Sequence, residues 1–165
     1  MKIAIIYSTN IRATKKAAKI LSSKLNCQTQ LIPIEKAKTA CLLKYDYIIL
    51  AGSINNGNVQ GVLKRYISRN LKTLIEKPTA LFLNCDENNE KNFDKTFSEE
   101  LVKSSFLKSN FGTEINKDEG NFFEKRYKTR MISKYEKEGK NLPVLNLNEI
   151  NQFADHINRV IDERI

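Results

Sequence analysis

The turn that follows the first apolar run is the segment of this sequence best suited to hold a ligand. It lies between a continuous apolar run at residues 3–7 and a helical pattern at residues 15–25, and it consists of Ser8, Thr9, Asn10, Ile11, Arg12, Ala13 and Thr14. Backbone N–H groups at a helix start favour an anion, to which hydroxyls and an arginine add donors. Since the turn lacks the glycine patterns of P-loops and dinucleotide sites, it suits a monoester phosphate.

The same turn allows an interpretation without any ligand. A threonine placed just before or within the first helical turn caps the helix with its side-chain oxygen, and an arginine there is solvated. Thr9 or Thr14 would be the cap and Arg12 the solvated residue. Taken alone, the turn supports both interpretations equally.

The spacing of apolar residues predicts the elements that must position this turn. Continuous apolar runs at residues 3–7, 45–51 and 79–85 are typical of strands buried on both faces. Residues 28–34 form another strand, which Pro33 places at an edge, and residues 111–116 a weaker one. Helical spacing predicts helices at 15–25, 58–74, 97–107, 121–138 and 148–161.

The near-alternation of strands and helices predicts a parallel sheet covered on both faces. In such a sheet, ligands bind beyond the carboxyl ends of the strands, where the strand order reverses. The loops expected at those ends are residues 8–14, 53–58 and 84–86, and all three are mostly polar. We therefore expect these loops to lie together.

Length and composition limit the classes of protein. The 165 residues suit a single domain spanning residues 1–165, and no apolar run approaches a membrane span or a secretory signal. Cys27, Cys41, Cys85 and His156 are too few for an ordinary zinc site, so we predict no metal and three reduced thiols in a cytoplasmic protein. The net charge of +9 favours acidic partners.

Three stretches resemble known proteins. Residues 3–9 with Thr14, and residues 45–54, are similar to the first and third strands of flavodoxins, and residues 55–58 resemble the loop beside their isoalloxazine ring. Taken together, these stretches are more similar to the flavodoxin-domain group that includes menaquinone-dependent protoporphyrinogen oxidase than to flavodoxins in general. There a Ser-Ile-x-x-Gly loop, a basic aromatic segment and a final helix follow in the same order.

This resemblance implies a flavodoxin-like three-layer α/β sandwich, in which helices cover both faces of a five-stranded doubly wound parallel sheet. It also implies FMN as the cofactor. By position, the turn at residues 8–14 would surround the phosphate. The flavin ring would be bordered on one side by Ser53, Ile54, Asn55, Asn56 and Gly57, and on the other by Asn84, Cys85 and Asp86. The peptide between Asn56 and Gly57 would turn its carbonyl toward the flavin N5 proton, a change that glycine makes less costly.

The chain also departs from the family pattern. Arg12 and Ala13 stand where relatives usually have a glycine, and neither ring-flanking loop supplies a stacking aromatic. No side chain is predicted to act as a catalytic acid or base, because the flavin supplies the redox chemistry.

Three functions follow from the resemblance and the charge. The first is an FMN-dependent oxidoreductase that passes electrons to a quinone from a porphyrinogen-like or other acidic substrate. The alternatives are an FMN electron carrier that serves a redox partner, and a cofactor-free domain that binds an acidic partner. FMN electron carriers are usually acidic, so the charge of +9 disfavours the electron carrier.

The basic segment at residues 121–140 admits two interpretations. Its aromatic and thioether side chains recur every four residues, at Phe123, Tyr127, Met131 and Tyr135. This stripe predicts a helix that packs on the sheet with its charges in water. Alternatively, the charges form a basic lip over the flavin or meet anionic lipid at the inner face of the cell membrane. Nucleic acid is disfavoured, because no recognised binding motif is present.

Overall fold

The computed structural model describes residues 1–8, 12–37, 42–55, 58–86, 89–115 and 122–163. Its strands are β1 (Lys2–Tyr7), β2 (Gln28–Pro33), β3 (Tyr47–Asn55), β4 (Asn58–Val59), β5 (Thr79–Asn84) and β6 (Leu107–Asn110). Its α-helices are α1 (Ala13–Ser22), α2 (Ile34–Ala37), α3 (Gly61–Glu76), α4 (Lys91–Phe97), α5 (Glu99–Ser104), α6 (Phe122–Lys137) and α7 (Leu147–Asp162). A single 3-10 turn at Leu42–Lys44 precedes β3.

Five parallel strands form the main sheet in the order β2-β1-β3-β5-β6, and the short β4 pairs antiparallel with the end of β3. The chain first runs from β1 outward to β2, and then returns to add β3 on the other side of β1. The strand order therefore reverses between β1 and β3, which is where a doubly wound sheet opens a crevice. The expected five-stranded parallel sheet is confirmed, and Pro33 lies in edge strand β2.

The two faces of the sheet carry separate apolar layers. Alternate residues of β1 point to opposite sides, so Ile3 and Ile5 pack with α1 and α7, whereas Ala4 and Ile6 pack with α3, α4 and α5. In the first layer, Phe82 stacks on Phe111 with ring centroids 4.5 Å apart. This double coverage explains why the central strands are continuous apolar runs rather than alternating ones.

Three predicted elements differ from the structure. The predicted loop at residues 53–58 is wrong in its first half, since β3 continues through Asn55 and forms a hairpin with β4. The helix predicted at residues 97–107 is too long: Ser98, with a φ of 74°, separates Phe97 of α4 from α5, and α5 ends at Ser104. The strand predicted at residues 111–116 is wrong, because Leu107–Asn110 forms the edge strand instead. The sequence of β6, Leu-Lys-Ser-Asn, is too polar to show a strand pattern.

The helix predicted over the basic segment and the final predicted helix are close to those observed. Helix α6 covers Phe122–Lys137, and α7 covers Leu147–Asp162 with an apolar face that is buried in the first layer. Among the described residues, no helix is both long and apolar enough to cross a membrane.

Candidate functional site

Three of the predicted site residues lie in neighbouring positions at the carboxyl edge of the sheet. Tyr7 pairs with Ala51, so Ser8, the next residue, lies beside the end of β3. Ser53 of β3 pairs in turn with Asn84 of β5. Because neighbouring strands are about 4.8 Å apart, the three residues form a row across the point where the strand order reverses. The first residues of the three predicted loops, Ser8, Ser53 and Asn84, therefore lie close together.

Gln60 connects the first two residues of this row. The buried Ser8 hydroxyl donates a hydrogen bond to Gln60 Oε1, and Gln60 Nε2 donates to Ser53 Oγ at 3.4 Å. The backbone N–H of Ser8 also donates to the carbonyl of Ala51 at 3.1 Å. Gln60 therefore fixes the end of β1 against β3. Gln60 was not predicted as a site residue, because the sequence placed it inside the helix predicted at residues 58–74, whereas it lies just before the observed start of α3 at Gly61.

Thr14 is the part of the phosphate turn that the structure shows most clearly. Its side chain is fully buried in the first turn of α1, and among the described residues its hydroxyl has no hydrogen-bond partner. An unpaired buried hydroxyl costs about 1–3 kcal/mol, which a bound hydrogen-bond acceptor would recover. Thr14 does not act as the helix cap that the ligand-free interpretation suggested.

The start of α1 carries no negative charge among the residues that the structure describes. Arg12 occupies the N-cap position with its side chain exposed, and it makes no capping hydrogen bond. The first helical turn also lacks an acidic residue that would neutralise the partial positive charge there. The first turn of α1 therefore keeps its partial positive charge, to which the exposed Arg12 adds a full one.

At β5 the predicted ring-flanking residues serve partly to join strands. Asn84 Nδ2 donates to the carbonyl of Gly112 at 2.7 Å, and Cys85 N donates to Asn110 Oδ1 at 3.3 Å. Asn84 and Cys85 are both buried, and Asn84 Oδ1 has no partner among the described residues. These two residues therefore hold the carboxyl end of β5 against the segment that follows β6.

Asp86 links this edge to helix α6. Its side chain is exposed and accepts a hydrogen bond from the hydroxyl of Tyr135, which is buried. Met131, one turn earlier in α6, is half-buried, whereas Lys128 is buried. The predicted position of Tyr135 on the inward face is confirmed, but the prediction that all the charges of this helix lie in water is wrong for Lys128.

A cavity of about 550 Å³ lies on the other side of β5, toward β6. It is lined by Cys85, Asp86, Phe93, Lys108, Gly112 and Glu149, among others. Residues that end β1 and β3 do not line it. The cavity therefore does not include Ser8 or Thr14, and it shares only Cys85 and Asp86 with the predicted flavin border.

Several predicted site residues lie outside the described residues. They are Thr9, Asn10 and Ile11 of the phosphate turn, and Asn56 and Gly57 of the loop after β3. Of the residues beside them, Ala13 and Ser53 are buried, and Ile54 is half-buried. The backbone of Asn55 ends β3.

Comparison with known families decides the relationship of this chain. The model of the family described as "Flavodoxin domain" matches residues 4–142, which is most of the chain. The chain belongs to the flavodoxin family. FMN is the cofactor that membership of this family implies. A search of curated proteins found no match.

Solved structures agree with a flavodoxin fold. A short-chain flavodoxin associated with a non-canonical PDU bacterial microcompartment superimposes with a TM-score of 0.58 at 13% identity, covering 94% of this chain and 95% of that one. Oxidised flavodoxin 1 from Bacillus cereus gives 0.51 at 15% identity, with 83% and 98% covered. Two-electron reduced Megasphaera elsdenii flavodoxin gives 0.52 at 13%, with 67% and 82% covered. At these identities the likeness shows the fold of this flavodoxin domain.

Proposed function

We propose that this flavodoxin domain binds FMN at the carboxyl ends of β1, β3 and β5 and carries electrons between redox partners. The single observation that carries the proposal is the buried hydroxyl of Thr14, which has no partner among the described residues and lies at the uncapped start of α1. A phosphate dianion is the acceptor that such a position suits, because hydroxyl and backbone N–H groups both donate to it.

Each part of the crevice would have its own task. The hydroxyl of Thr14 and the backbone of Ala13 would bind the phosphate, and Arg12 would contribute a nearby charge. Thr9, Asn10 and Ile11 complete the proposed phosphate turn in sequence. FMN would supply the redox chemistry, while the chain binds and orients it.

The border of the flavin ring is proposed from the ends of β3 and β5. Ser53 and Ile54 would contact one side, together with Asn55, Asn56 and Gly57, and the segment from Asn84 to Asp86 would contact the other. Gln60 would act as a positioning residue, because its hydrogen bonds to Ser8 and Ser53 hold the two walls of the crevice together.

The finer function suggested by the resemblance is oxidation of a porphyrinogen-like substrate with transfer of electrons to a quinone. Neither the matching family nor the structural neighbours support that reaction. Electron carriage requires only the cofactor site and an accessible partner surface. It is therefore the function we favour.

The test is an absorbance spectrum of the purified protein before and after addition of FMN. We expect a flavin spectrum and saturation at one FMN per chain, followed by reversible reduction and reoxidation. The loaded protein should not oxidise protoporphyrinogen in the presence of a menaquinone analogue. A protein that stays colourless after FMN addition would overturn the proposed site, and sustained porphyrinogen turnover would favour the enzyme over the carrier.

A further inference from the structure

One face of α6 carries a stripe of four cationic side chains, Arg126, Arg130, Lys134 and Lys137. All four are exposed. Their spacing of four, four and three residues places them within about 80° of one another around the helix, at 3.6 residues per turn. With a rise of 1.5 Å per residue, the stripe is about 16 Å long. None of the four forms an ion pair with another residue that the structure describes.

The opposite face of α6 fixes the direction in which this basic stripe points. Tyr135 and Lys128 are buried and Met131 is half-buried, so that face is turned toward the protein and the stripe toward solvent. The hydrogen bond from Tyr135 to Asp86 ties the helix to the segment that follows β5. The basic stripe therefore belongs to the same edge of the molecule as the proposed FMN site.

We propose that the basic stripe is the docking surface for an acidic electron-transfer protein that exchanges electrons with the FMN site. This inference rests on the proposed function and adds the charge and place of the partner. Complementary charge brings two proteins together in the right orientation and raises the association rate, an effect that weakens with salt. Electron-transfer encounters bury little surface and are brief, so association rate matters more than tight binding.

Charge complementarity also favours a protein over a membrane as the occupant. A helix that lies on a membrane buries an apolar face in the lipid beside its cationic face. Among the side chains of α6 that the structure describes, no large hydrophobic one is exposed. Lys128, which is buried, would also have to be displaced if the helix turned over. The exposed side chains that the structure describes on α6 therefore offer charge without an apolar face that could enter lipid.

The experiment compares two variants that lose the same charge at opposite ends of the sheet. The first carries Arg126→Gln, Arg130→Gln, Lys134→Gln and Lys137→Gln, since glutamine keeps helix propensity while removing charge. The control carries Lys19→Gln, Lys24→Gln, Lys44→Gln and Arg159→Gln. These four positions are exposed and lie near the amino ends of the strands. Both variants therefore have a net charge four lower than the parent.

The probe is reduced plant-type ferredoxin, an acidic one-electron donor, mixed with the FMN-loaded protein in a stopped-flow instrument. Two ferredoxins are oxidised at their iron–sulfur clusters, and their two electrons, with two protons from water, reduce one FMN. At 10 mM NaCl we expect the stripe variant to react about tenfold more slowly than the parent, and the control to react within about twofold of it. At 500 mM NaCl the difference should fall below about twofold.

When the reduced proteins are mixed with basic cytochrome c, the stripe variant should transfer electrons no more slowly than the parent. Equal rates for the two variants with ferredoxin would overturn the proposal. So would stripe-dependent binding to vesicles with 30% phosphatidylserine, or to a 20-bp DNA duplex, if the ferredoxin rate stayed unchanged. Absorbance at the start confirms that each variant holds FMN, so failure of the FMN site is distinguished from failure of the docking surface. Circular dichroism confirms that α6 remains folded.

Discussion

Thr14 connects the stability of the protein to its proposed ligand. Its hydroxyl is buried in the first turn of α1 without a partner among the described residues, which is unfavourable unless an acceptor is bound there. The Thr14 hydroxyl should therefore slightly destabilise the free protein and stabilise its complex with FMN. A substitution that removes the hydroxyl but keeps the shape separates these two effects.

We predict that Thr14→Val weakens FMN binding about tenfold, because a hydrogen bond to a charged phosphate is lost. Unfolding of the free protein should need the same or more denaturant, since no hydrogen bond to a residue that the structure describes is broken. Fluorescence titration with FMN and urea denaturation measure the two quantities. Thr73→Val, near the far end of α3, is the matched control and should leave FMN affinity unchanged. Normal FMN affinity in Thr14→Val would contradict the role given to this hydroxyl.

Tyr66 is a buried group whose effect depends on pH. Burial raises the pKa of its hydroxyl to about 12, and the hydroxyl has no partner among the described residues. In the unfolded chain the pKa is about 10, so the folded state keeps this proton to a higher pH. Its contribution to stability is thus complete below pH 10 and is lost as the pH rises toward 12.

We predict that Tyr66→Phe raises the free energy of unfolding at pH 7 by about 1 kcal/mol, because an unpaired buried hydroxyl is removed. Between pH 9 and pH 11, the free energy of unfolding of the parent should also fall by about 1 kcal/mol more than that of the variant. Urea denaturation of both proteins at pH 7, 9 and 11 tests this. Parallel pH profiles for the parent and the variant would show that Tyr66 does not ionise with the raised pKa.

At the scale of elements, Gly52 allows two helices to approach β3 closely. A Cβ atom at this position would lie 2.9 Å from Leu63 Cδ2 of α3 and 3.0 Å from Thr96 Cγ2 of α4. Both of those side chains are buried, and the Thr96 hydroxyl is held by the carbonyl of Asn92. The absence of a side chain at residue 52 therefore determines how closely α3 and α4 cover the sheet just before the proposed site.

We predict that Gly52→Ala lowers the free energy of unfolding by about 1–3 kcal/mol through overpacking. Gly61→Ala is the control, since a Cβ there would meet only the end of Arg65 at an ordinary 3.4 Å, at the first residue of α3. That change should raise the free energy of unfolding by about 0.5 kcal/mol. Thermal and urea denaturation measure both. If Gly52→Ala proved as stable as the parent, Leu63 and Thr96 would have to move more freely than their burial implies.

At the scale of the whole molecule, the crevice between β1 and β3 is built from segments far apart in the chain. Ser8, Ser53 and Asn84 come from three strands, and Gln60 joins the first two. A ligand that contacts all three strands should stabilise the folded state as a unit. This gives a test of FMN binding that does not depend on redox activity.

We predict that FMN present at a hundred times its dissociation constant raises the free energy of unfolding by about 2.7 kcal/mol. Riboflavin at the same concentration should give a much smaller effect, because it lacks the phosphate for the start of α1. Thermal denaturation with each compound distinguishes them. Equal stabilisation by FMN and riboflavin would place the binding energy in the ring and not in the phosphate turn.

The sequence by itself determined the central architecture. Strands β1, β3 and β5 are buried on both faces, so each is a continuous apolar run that no amphipathic helix would show. Pro33 identified an edge strand because it cannot donate a ladder hydrogen bond. Helix α7 buries one apolar face, and its helical spacing predicted its bounds closely. In each case the local pattern of residues indicates which faces or edges of the element are buried.

Only the tertiary structure decided which polar groups meet. Gln60 reaches Ser8 across 52 positions in sequence, and Tyr135 reaches Asp86 across 49. The edge strand β6 is polar and is recognised by its pairing with β5, not by its composition. Local periodicity reports whether a residue is buried, but it carries no information about a distant partner. The partner depends on how the strands are ordered in the sheet, so the burial of the Thr14 hydroxyl away from any partner among the described residues is seen only in the folded chain.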